Sequence, residues 1–229
     1  RVPSLVPADP LDFRRGHSRD DGLLAELNWR PGEEWAIRAE GRDFGSDGVL
    51  VHELVPERSR QASASVEWQR EPARATLSAR HRHNDNEVSG HRLDSYSIGL
   101  DGAFTAFGAT WSAGYTFARI ETRTRTNFFF DPDPNPVPTL VGFDGETHTW
   151  QAAASVTPAD AVSAEIGAVV TNTAGSYSLL SVDLRAELRW RCLERGTAGV
   201  EWRHMQFEDA DEVDNWNADL IFLFWSHEW

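Results

Sequence analysis

Strict alternation of apolar and polar residues, one position at a time, recurs along this sequence from about residue 21 to its end. In LLAELNWR, Leu23, Ala25, Leu27 and Trp29 share one side of an extended chain; Glu26, Asn28 and Arg30 take the other. The clearest run is Leu180 to Trp190. There Leu180, Val182, Leu184, Ala186, Leu188 and Trp190 oppose Asp183, Arg185, Glu187 and Arg189. A helix would scatter these charges around its circumference, whereas a strand sorts them onto one face. The expectation is an all-β chain of many antiparallel strands.

The links between runs differ in length. Residues 31–34, 71–73, 157–160 and 192–196 make short connections, and 45–60, 83–92, 121–147 and 208–215 make longer, more polar ones. Short turns at one end and long loops at the other are the plan of an up-and-down transmembrane β-barrel. Mean hydropathy of -0.48 does not conflict with this, because a membrane-spanning strand is apolar on one face only. No stretch approaches the roughly 18 to 20 apolar residues that a spanning helix needs. Tryptophan placement points the same way. Trp29 and Trp35 flank one short link, while Trp68 and Trp190 precede others. An indole suits the lipid–water boundary because its body is apolar and its N–H polar. These four, with Trp225 and Trp229, are the expected membrane girdle.

The last ten residues, LIFLFWSHEW, place Ile221, Leu223, Trp225 and Trp229 on alternate positions. Here the chain resembles bacterial outer-membrane β-barrel proteins, whose last strand ends on an aromatic residue with this alternation; His227 departs from that pattern. The resemblance implies an outer-membrane location, insertion by the outer-membrane assembly machinery and a periplasmic C-terminus. The segment GVEWRHMQFEDADEVDNWNADLIFLFW also resembles the final hairpin of the MtrB/PioB-type barrels that sheathe multihaem cytochromes. That second resemblance covers about thirty residues, and the family's N-terminal cysteine motif has no counterpart here.

Residues 21–229 are expected to form the barrel, with 1–20 an N-terminal extension or a poor first strand. Counting gives about eleven strands, against the even number usual for single-chain bacterial barrels. Residues 1–13 would supply a twelfth, at the cost of Pro3, Pro7 and Pro10, which suit only an edge. The other reading is the C-terminal part of a larger barrel.

Alternation assigns the inward positions. Arg38, Glu40, Arg42, Arg74, Arg80, Arg82, Asp183, Arg185, Glu187 and Arg189 are the expected lumen-lining residues, with Arg191, Glu201 and Arg203 beside them. They either line a water-filled pore or fill a narrow barrel with cross-strand ion pairs. Both signs are present, so strong selectivity is not expected. All 22 basic side chains are arginine, which suits fixed salt-bridge ladders.

A net charge of -14 excludes nucleic acid as a partner, since phosphate binding needs a basic surface. The lone Cys192 excludes an intrachain disulfide framework. His81, His83 and His91 lie near Asn84, Asn86 and Ser89, the residue types of an outer-membrane phospholipase, but not in a recognisable order. No third metal ligand accompanies His81 and His83. The expectation is therefore no catalytic, cofactor or metal site. The acidic stretch 208–214 suits a solvated loop or a site for cations that bridge lipopolysaccharide. Phe128, Phe129 and Phe130, followed by prolines 132, 134, 136 and 138, suggest an extended loop segment. Taken together, these features predict a porin-like channel for small solutes. The alternative is a non-conducting sleeve holding a partner such as a multihaem cytochrome.

Overall fold

The computed structural model describes residues 19–47, 58–86, 90–128, 137–193, 196–209 and 215–227. Trp229, most of the 1–20 extension, Ser89, Phe129, Phe130 and the acidic residues 211–214 lie outside them.

Eleven strands follow one another in chain order: β1 (Arg19–Trp29), β2 (Trp35–Asp47), β3 (Arg58–Arg70), β4 (Ala73–Asn86), β5 (His91–Ala106), β6 (Ala109–Phe128), β7 (Val137–Ala159), β8 (Val162–Gly175), β9 (Leu179–Leu193), β10 (Gly196–Asp209) and β11 (Trp216–His227). They form one antiparallel sheet in sequential order, with no crossover. Among the described residues β1 and β11 do not pair with each other, so the sheet is open.

Several strands run further than alternation alone suggests. β6 and β7 extend over 20 and 23 residues, absorbing much of the expected 121–147 loop, and Pro138 falls inside β7. Pro138 sits opposite Asn127, next to the strand's first residue, where a missing N–H costs little. Two tight links escaped the sequence reading: Phe107–Gly108, both at positive φ, and residues 176–178. Phe107 is an apolar residue in a left-handed position, so composition hides this turn.

Register carries the alternation through the whole sheet. Following Cα partners from Trp29 gives Ile37, Val66, Leu77, Leu100, Tyr115, Trp150, Val170 and Val182, all on one face. Because a one-residue slip would move a strand's apolar set to the wrong side, this agreement fixes the registers from β1 to β9 at once. The row reaches β9 at Val182 and continues through the polar Gln206 and Asn217, whereas the turn-flanking tryptophan on β9 is Trp190, eight residues further on (182 to 190). Taking the short turns as one level, the sheet staggers by one residue per strand step over the eight steps. That stagger corresponds to a strand tilt of about 35°, the inclination barrel closure requires.

None of the described residues forms a buried apolar core. Leu27, Leu100, Ile166, Ile221 and Leu223 are each more than half exposed, at 55%, 55%, 59%, 71% and 82%. A sheet with one continuous apolar face and no layer packed on it is stable only if something apolar outside the chain covers that face.

Candidate functional site: the concave polar face

The two faces of the sheet have different shapes. A hollow of about 680 Å³ is lined by residues from every strand from β3 to β10, among them Glu67, Arg74, Asp101, Gln151, Glu165 and Arg203. Strands that do not pair with one another share it, so the sheet curls around its polar face. The apolar face is convex.

Every residue expected to line a lumen is on the concave side. Arg38, Glu40 and Arg42 stand on β2 and Arg74, Arg80 and Arg82 on β4; their Cα partners on β3 are Ser63, Ser65, Gln61 and Gln69. Asp183, Arg185, Glu187 and Arg189 project from β9 toward the same side, beside Glu201 and Arg203 of β10. Glu67, Asp101, Gln151 and Glu165 join them. Sequence reasoning passed over these four, although their parity within their strands carried the signal.

The β9–β10 charges are mutually satisfied. Glu187, only 5% exposed, accepts hydrogen bonds from both Arg185 and Arg189. Asp183 receives Arg203, whose Nε lies 2.9 Å from Oδ1. Arg185 Nε also lies 3.3 Å from Glu201 Oε1, an ion pair without hydrogen-bond geometry. Between the charged strands the concave wall is mostly neutral and hydroxylated. Thr147 and Thr173 are 3.1 Å apart and Thr149 and Thr171 3.4 Å. Gln151 donates to Asp101 at 2.8 Å.

On the convex face the tryptophans stand beside the short turns. Trp29, Trp35, Trp190 and Trp225 are 45–57% exposed, and Trp35 lies 6.5 Å from Trp68. Phe104 and Trp111 stack beside the Phe107–Gly108 link. A second aromatic group, not anticipated from sequence, marks the other edge of the apolar band. Tyr96 contacts Phe117 at 5.5 Å, and Tyr115 hydroxyl lies 2.7 Å from His148 Nδ1, whose ring stacks on Trp150. Beyond it the convex face turns charged: Arg119 meets Asp144 and Glu146, both at 3.3 Å. On β5 the apolar stretch from Phe104 to Tyr96 spans nine positions. With the tilt above that is about 22 Å, close to the roughly 25 Å apolar band of a transmembrane barrel.

The histidine cluster splits between faces. His81 and His83 point outward and share one carboxylate, with His81 Nε2 3.0 Å from Asp94 Oδ1 and His83 Nδ1 3.1 Å from Oδ2. Asn84, Asn86 and His91 belong to the concave side, so these groups do not converge. The described residues contain no cluster of three or more His, Cys, Asp or Glu side chains arranged for a metal.

No family model and no curated protein matches this sequence. Among solved structures, the copper transporter OprC superposes with a TM-score of 0.61 at 17% identity, over 91% of this chain. The fold is that of an outer-membrane β-barrel. The match takes in 41% of the OprC chain, so this barrel wall corresponds to less than half of that structure.

Proposed function

We propose that this chain forms the wall of a barrel in the outer membrane of a Gram-negative bacterium and conducts small polar solutes along its concave face. One observation carries the reading: an apolar convex face with no protein layer over it backs a concave face that is largely polar between the sheet's two edges. Lipid hydrocarbon is the cover that suits the first, and water suits the second. The likeness to a transporter supports a role in transport of some kind.

The orientation follows from loop lengths. Short turns and the C-terminus face the periplasm, and the long-loop side faces outward. The tryptophans beside the short turns form one interfacial girdle, and the Tyr96–Phe117–His148 group lies at the other interface. Outer-membrane lipid, lipopolysaccharide and the assembly machinery are the expected partners, and no catalytic role is proposed.

A non-conducting sleeve is the second reading, and a specific feature favours it. On β11 the concave side carries Leu220, Phe222 and Phe224, opposite Arg203, Glu201 and Gly199. A strand apolar on both faces is unusual beside a water-filled lumen and suits a protein held inside. Planar-bilayer recording of the purified, refolded protein separates the two. Stepwise single-channel currents are the expected result; their absence would sink the channel reading and leave the sleeve.

A further inference from the structure

The inward-facing charges divide by whether they are answered. On β9 and β10, Asp183, Arg185, Glu187, Arg189, Glu201 and Arg203 each have an opposite charge beside them. On β2, Arg42 is tied to Glu40, and Arg38 reaches Glu67 at 3.8 Å. Four inward arginines have no carboxylate within ion-pair reach among the described residues. Arg74 and Arg191 stand apart from each other near the short-turn end, whereas Arg80 and Arg82 stand two residues apart on β4, on the concave side toward the long loops. Above Glu67 and Asp101 the concave faces of β3, β4 and β5 carry no acid at all. Glu26 and Glu165, inward acids without a salt bridge, stand toward the short-turn end.

Donors surround the two guanidinium groups. Ser63 and Gln61 are their Cα partners on β3, and Ser97 and Ser95 on β5. Arg82 is held from behind. Its Nε donates to Asn84 Oδ1 at 3.3 Å, and Asn84, 5% exposed, accepts from Ser59 Oγ at 2.8 Å on the same oxygen. The terminal N–H groups of Arg82 have no partner among the described residues and stand on the concave side. Two like charges at this spacing repel in the absence of an anion. A planar guanidinium matches the oxygens of phosphate or carboxylate in pairs, and side-chain hydroxyls and amides complete the shell.

We propose that Arg80 and Arg82, with Ser63, Gln61, Ser95 and Ser97, form a binding site for a small soluble oxyanion at the outer mouth of the barrel. The site gives the conduction pathway a preference for anions. The binding step stands on this geometry alone, whereas the preference rests on the conducting reading of the same face.

Isothermal titration of inorganic phosphate into the full chain, refolded in zwitterionic detergent, reads the site directly. The unaltered protein is expected to bind with a dissociation constant of about a millimolar, weakening roughly tenfold or more in the double variant Arg80→Ser/Arg82→Ser. The double variant Arg80→Lys/Arg82→Lys keeps the charge and loses the paired geometry, so it binds more weakly than the parent but better than the serine variant. Arg191→Ser, on the same face near a short turn, leaves phosphate affinity unchanged. In bilayers under a potassium chloride gradient, chloride passes in preference to potassium, and the serine pair lowers the permeability ratio about threefold. Phosphate binding that depends on Arg80 and Arg82 but comes without current supports the site and refutes conduction. Current without phosphate binding, or an equal loss in Arg191→Ser, overturns the site and leaves conduction standing. If the serine pair fails to refold, unaltered phosphate affinity in the lysine pair overturns the proposal.

Discussion

Glu187 illustrates how much a single side chain can hold on the concave wall. Nearly buried, it neutralises Arg185 and Arg189 two positions to either side, so the strand places three charges in line without net repulsion. Replacing it by Gln keeps the shape but leaves two partly desolvated guanidinium groups facing a neutral amide. Glu187→Gln is expected to lower stability by about 2 kcal/mol, seen as an earlier urea midpoint for the refolded protein. Phe224 shows a different residue-scale device. Its ring lies flat across the Cα of Gly199 on the neighbouring strand, where an added Cβ would overlap the ring. The same arrangement joins Phe44 to Gly22 at the other end of the sheet. Gly199→Ala must displace the Phe224 ring, and a loss of about 1 kcal/mol is expected in the same unfolding assay.

For each strand the decisive property is which residues share a face, and neighbouring positions therefore have opposite tolerances. Ile98 and Ser97 are adjacent on β5, with Ile98 48% exposed on the convex band and Ser97 on the concave side. Arginine at Ile98 stands inside the apolar band, two positions from its Tyr96 edge, where it costs about 1–3 kcal/mol; arginine at Ser97 meets a polar wall and costs little. Folding yield in lipid vesicles, read from resistance to unfolding in detergent gels, distinguishes Ile98→Arg from Ser97→Arg. Equal yields for the two would contradict the assignment of faces. The strands' faces were legible from alternation because a period of two is a local property. Their ends were not. β6 and β7 continue past the apolar band with Arg119, Glu121, Arg123, Asp144 and Glu146, a polar outward sequence that reads as loop until the ladder between the two strands is seen.

Across the whole molecule, the sheet's edges matter most. In a membrane every backbone N–H and C=O must be paired, so the free edges of β1 and β11 have to be covered. All odd-numbered strands run the same way, so β1 and β11 could join each other directly only in parallel. An antiparallel closure places an odd number of strands between them. The edges are also where inward apolar residues gather: Leu220, Phe222 and Phe224 on β11, Leu24 and Phe44 at the other edge. The β9–β10 ion pairs thus lie beside an apolar arc on β11, whereas at the other edge Leu24 and Phe44 adjoin Arg42. The bilayer and titration experiments above ask whether the charged or the apolar part of the concave face dominates function.

Local chemistry in the sequence determined the fold class, the two faces, and which of the named charges point inward, because each depends only on a residue's parity within its strand. The tertiary structure decided how those charges answer one another. Glu187 between its arginines could be guessed from spacing, but Arg203 on Asp183, Gln151 on Asp101 and the isolation of Arg80 and Arg82 depend on register between strands up to fifty residues apart. Stagger was likewise invisible: two tryptophans beside similar short turns are eight residues out of register once hydrogen bonding is traced across the sheet. Pairing energy between strands, summed over the whole ladder, sets that offset, and no single segment of the sequence contains it.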